Sequence, residues 1–135
     1  MKTLSIIILP LLLILAACSS KAEPTDVDNN TNATDTTAPV VDVAVGAKFF
    51  MNTCTPCHGA TGRGDGAASA SLDPKPRDFS DSAWQTSIDD EYLSNVIKYG
   101  GAGVGKSPVM PANPILNSDP DTLLSLVAYI RTLKE

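Results

Sequence analysis

The chain has a single histidine, three cysteines and few aromatic residues, 5% of its 135 positions. One histidine leaves no nucleophile, base and orienting residue to recur as a triad, which excludes hydrolysis of that kind. A surplus of positive charge is also missing: the formal net charge is −5, which argues against a nucleic-acid binder. No stretch alternates as a strand would, and no segment repeats. An apolar fraction of 43% excludes a wholly disordered chain, and the length allows one ordinary domain.

The one long apolar run, Leu4 to Ala17, follows Lys2 and ends in small residues. It is too short to cross a membrane comfortably as a helix and reads as an export signal, residues 1–17, removed from a protein that works outside the cytoplasm. Leu15-Ala16-Ala17-Cys18 resembles the lipobox of bacterial lipoproteins, which implies cleavage before Cys18 and lipid attached to it. Several acyl chains on one residue anchor firmly where a single chain holds marginally. The competing reading is a free or disulfide-bonded Cys18 behind a plain secretory signal. Ser19 after the cysteine resembles the outer-membrane default of Gram-negative sorting, facing the periplasm. A Gram-positive source would put the same anchor on the outer face of the cytoplasmic membrane.

Residues 18–41 are rich in Thr, Asp and Asn and offer little to a core, so they read as a flexible tether with a span of roughly 25 Å, and about 70 Å when extended. Asn29-Asn30-Thr31 and Asn32-Ala33-Thr34 match the glycosylation pattern but are explained by linker composition. The domain, 42–135, begins with a predicted helix that puts Val43, Ala47, Phe50 and Cys54 on one face. A glycine-rich loop follows, then a helix from about Ile88 to Tyr99 with Ser87 as N-cap, Asp90 as its capping-box partner, an apolar face of Leu93, Val96 and Ile97, and a stop at Gly100-Gly101. The last helix opens on Asp119-Pro120-Asp121 and carries Leu123, Leu126, Val127, Ile130 and Leu133 as one stripe. The fold class is therefore all-α, with three to four short helices and long loops. Two irregular stretches exceed ordinary loop length, so something large and apolar must fill the interior.

Cys54-Thr55-Pro56-Cys57-His58 concentrates the chemistry. A redox dithiol needs its first cysteine at a helix N-terminus, and here the pair follows a helix. A structural zinc site needs four soft ligands, and after Cys54, Cys57 and His58 the chain offers no more. The CxxCH spacing fits covalent haem: two thiols add to two vinyl groups, and the adjacent histidine turns to the iron. Of three methionines, Met1 falls in the signal and Met51 on the helix carrying Cys54, which leaves Met110, 52 residues beyond His58, as the soft sixth ligand. Gly62-Arg63-Gly64-Asp65-Gly66 lacks the strand and the lysine-serine ending of a phosphate loop. Asp89, Asp90 and Glu91 suit a helix start better than a catalytic pair.

From Asp42 onward the chain resembles a class I, mono-haem bacterial cytochrome c. The resemblance rests on Gly46 and Phe50, eight and four residues before Cys54, on CTPCH, on the GxGDG and KPRDF loop, on PVMP, and on Leu126 with Tyr129. It implies a haem c held by Cys54 and Cys57, with His58 and Met110 as axial ligands to iron. It further implies that the first and last helices cross at Gly46 with Tyr129 packed there. The family's pattern also implies a proline carbonyl orienting His58, from Pro76 or alternatively Pro74, and Arg77 and Trp84 at the haem propionates.

The expected function is then a membrane-anchored, monomeric one-electron carrier, not an enzyme, which docks transiently with a redox donor and acceptor. The alternatives are an electron-entry subunit of a larger oxidoreductase and a sensor or peroxidase with an open iron.

Overall fold

The computed structural model describes residues 38–135. The expected signal 1–17, the lipidation candidate Cys18 and the expected tether as far as residue 37 lie outside the described residues. Five helices follow one another: α1 Val43–Thr53, α2 Thr55–His58, α3 Ser82–Ser87, α4 Asp90–Gly103 and α5 Pro120–Thr132. Two 3₁₀ turns, Ala67–Ser71 and Pro114–Asn117, punctuate the loops, and no strand occurs among the described residues. None of the described helices is long and apolar enough to cross a membrane.

The frame is the crossing of α1 and α5. A Cβ on Gly46 would overlap the Ser125 carbonyl and lie 2.8 Å from the Leu126 nitrogen, so only glycine lets the two backbones meet. Phe50 and Leu126, both fully buried, pack beside the crossing, and burial of each contributes about 1.5–3 kcal/mol. The Tyr129 ring lies 5.2 Å from that of Phe50. Val43 departs from the predicted face: it is exposed at the first position of α1, because the buried side of the helix centres on Gly46 and Phe50.

α5 begins as its sequence predicts, with Pro120 in the first turn and the Asp119 carboxylate accepting from the Thr122 N–H at 3.0 Å. The start of α4 differs from the reading. Asp89, not Ser87, caps it, accepting from the Tyr92 N–H at 2.7 Å. Ser87 instead ends α3, where its hydroxyl donates back to the Trp84 carbonyl at 2.8 Å. Asp90 is free of capping and takes the Arg131 Nε–H at 2.8 Å.

Arg131 and the buried Gln85 fasten α3 and the start of α4 to α5. The Gln85 amide donates to the Phe79 and Ile130 carbonyls, both at 2.8 Å. The Arg131 guanidinium donates to the Gln85 and Ile88 carbonyls at 2.6 and 2.9 Å. These bonds satisfy backbone groups that α3 leaves open at its end.

Candidate functional site

Cys54 ends one helix and begins the next. Its N–H donates to the Phe50 carbonyl at 2.8 Å, and its own carbonyl accepts from Cys57 and His58 at 3.2 and 2.9 Å. That single turn brings Cys57 round to the side of Cys54, three residues on. Both cysteines and His58 line one cavity of about 820 Å³. Its body is apolar, walled by Phe50, Leu93, Val96, Ile97, Leu126 and Ile130. A smaller depression of about 250 Å³ on α1, at Val45, Lys48, Phe49 and Asn52, holds no group of comparable chemistry.

Burial, with the neighbouring Cys57 thiol adding to it, pushes the Cys54 thiol up to about 11. A redox dithiol calls for the opposite shift, so the burial of this thiol, like its position after a helix, speaks against the thioredoxin-like reading. Among the described residues no three His, Cys, Asp or Glu side chains converge on a point where a metal could be held, which removes the zinc reading there.

His58 is 9% exposed, and burial pulls its pKa below the usual histidine value; the Arg77 carbonyl opposes this only partly. Burial therefore favours the neutral ring. Its Nδ1–H donates to the Arg77 carbonyl at 3.3 Å, which leaves the Nε2 lone pair for a metal. Pro76, expected to supply this acceptor, does not, and nor does Pro74. The Phe79 N–H donates to the Gly62 carbonyl at 2.8 Å, and the Pro76 carbonyl passes against Gly64, where a Cβ would overlap it. With the loop fixed at these two points, it is the Arg77 carbonyl that meets the imidazole.

Of the two methionines among the described residues, Met110 lines the cavity, whereas Met51 is 47% exposed on α1. The Met110 loop is seated on α4 at Gly100-Gly101. The Gly101 N–H donates to the Met110 carbonyl at 3.0 Å, and the Lys106 N–H returns to the Gly101 carbonyl at 2.7 Å. Gly100 leaves the helix at φ 71°, and a Cβ on it would stand 2.7 Å from the Met110 carbonyl. The sequence marks this pair as a helix stop; its second duty, as the floor of the methionine loop, shows only in tertiary contact. The available signal is two adjacent glycines, ten and nine residues before the methionine.

Arg77 and Trp84 both line the cavity. The guanidinium lies 5.2 Å over the indole ring and 3.7 Å from the Asp81 carboxylate, half exposed. The charged side chains that line the cavity are Lys75, Arg77 and Lys106, all cationic, in a protein of net negative charge. Sequence reasoning missed the two lysines. Lys75 is held in place by donating to the Ser69 and Ala70 carbonyls at 2.6 and 3.1 Å. An apolar body, a cationic lining, two thiols and an imidazole match a flat macrocycle with anionic side groups, and the cavity is of ligand size.

The family model described as Cytochrome c matches residues 43–134. A solved structure described as KustC0563, a c-type cytochrome, is similar at 26% identity with a TM-score of 0.50, covering 67% of this chain and 98% of its own. A search of curated proteins finds no match.

Proposed function

The chain belongs to the cytochrome c family, which binds covalent haem c with iron and works in electron transfer, and on that premise we propose that it is a His/Met-ligated one-electron carrier tethered to a membrane. The observation that carries the reading is the convergence of Cys54, Cys57, His58 and Met110 on one apolar cavity. Haem c bound there supplies an iron that interchanges between Fe(II) and Fe(III).

Cys54 and Cys57 hold the group through thioether bonds. His58 would hold the iron through Nε2, because its Nδ1–H is committed to Arg77. Met110 would offer its sulfur to the same iron, from a loop braced on Gly100 and Gly101. A thioether raises the potential relative to harder ligands. Lys75, Arg77 and Lys106 answer the propionates, with Trp84 as a further donor, and the apolar walls exclude water. Val109, more than half exposed beside Met110, and the exposed Ile115 give apolar contact for a transient partner.

Cys18 carries the lipid, and residues 19–41 let the monomeric domain reach a donor and an acceptor in the periplasm. Held by both His58 and Met110, the iron would have no site for substrate. Mixing the reduced holoprotein with carbon monoxide tests this: slow or negligible binding at neutral pH supports it, and rapid stoichiometric binding means an open iron, the chemistry of a sensor or peroxidase.

A further inference from the structure

His58 has two contacts that constrain its ring. One is the hydrogen bond from Nδ1 to the Arg77 carbonyl, long at 3.3 Å. A single bond of that length fixes the tautomer but resists rotation about the Cβ–Cγ axis only weakly. The other is the Phe79 ring, which lies flat against the imidazole with centroids 4.5 Å apart and planes within 15°.

Phe79 is itself immobilised from every side. Its N–H donates to the Gly62 carbonyl and its carbonyl accepts from the buried Gln85 amide, both at 2.8 Å. Its ring is 7% exposed, meets Phe50 edge-on at 6.2 Å, and has Trp84 at 5.7 Å. Trp84 is covered in turn by the Arg77 guanidinium. A ring clamped at both backbone groups and packed by two further aromatics cannot follow the imidazole, so the imidazole must follow it.

We propose that Phe79 is a positioning residue that sets the plane of the His58 ring, and through it the electronic state of the haem iron. This rests on His58 being an axial ligand, as proposed above. The plane of an axial imidazole decides how its π orbital overlaps the iron d orbitals, so a freed ring changes the ferric electronic anisotropy, while loss of packing alone moves the potential through burial and leaves that anisotropy in place. Flat contact is what the role needs, which separates Phe79 from an aliphatic core residue of similar bulk.

The test uses ferric holoprotein, parent and variants, with electron paramagnetic resonance, proton NMR of the haem methyl groups and potentiometry. In the parent, the methyl shifts should report one imidazole plane, parallel to the Phe79 ring. Phe79→Leu should keep the low-spin His/Met optical spectrum, yet move the largest g value, alter the spread of methyl shifts and displace the potential. Phe79→Tyr, which restores a flat ring, should return all three toward the parent. Parent values of g and methyl shifts in a folded Phe79→Leu, whatever its stability or potential, would overturn the proposal and leave Phe79 as packing. Should that variant not fold, the parent alone decides: a plane turned across the Phe79 ring, or two planes in exchange, contradicts it. A parent without the low-spin His/Met spectrum overturns the ligation reading as well. That outcome is seen before any Phe79 variant is made.

Discussion

Gly46 lies directly against the Ser125 carbonyl, and the Ser125 hydroxyl accepts the Asp42 N–H at 2.9 Å, so the two helices that frame the site touch backbone to backbone at one residue from each. Helix propensity alone favours alanine over glycine in α1 by about 1 kcal/mol. The contact with Ser125 reverses the sign. Gly46→Ala should destabilise the holoprotein by about 1–3 kcal/mol, as overpacking does, in a denaturant titration. A gain in stability would mean that α1 and α5 do not meet this closely.

The floor of the methionine loop predicts a functional effect without loss of cofactor. A Cβ on Gly101 would overlap the Ser107 carbonyl and push the 107–111 segment away from α4. Gly101→Ala should therefore retain covalent haem by mass, while its ferric spectrum loses part of the charge-transfer absorption of thioether ligation and its potential falls. An unchanged spectrum and potential would show that the loop does not depend on this seat.

Cys18→Ala should abolish labelling by a fatty acid, with its haem spectrum unaltered. Labelling that persists in this variant would place the lipid on another residue.

Much of this was legible locally. Asp119-Pro120 announces a helix start through the chemistry of its own two residues, and the structure places α5 there. CTPCH needs only its spacing, since one helical turn delivers both thiols and the imidazole to the same cavity. What failed was choice among near-equivalent neighbours. Ser87, Asp89 and Asp90 can each cap a helix, and the decision falls to Arg131, 41 residues from Asp90, which claims the Asp90 carboxylate. Pro76 and Arg77 each offer a carbonyl, and the Phe79 to Gly62 hydrogen bond selects between them. The duties of Gly100-Gly101, Gln85 and Phe79 are likewise set by partners distant in the chain, which leave no local mark on these residues.

The central claim is that His58 and Met110 close both axial positions of a covalently held haem iron that carries single electrons. Spectroelectrochemical titration of the parent beside Met110→Ala tests it most directly. The account predicts a one-electron wave and a low-spin spectrum in both oxidation states for the parent. For Met110→Ala it predicts haem still covalently bound, the thioether charge-transfer absorption gone, and a potential lowered by a sizeable part of the ~0.8 V range over which axial ligands tune haem iron. A Met110→Ala protein with the parent's spectrum and potential would contradict it.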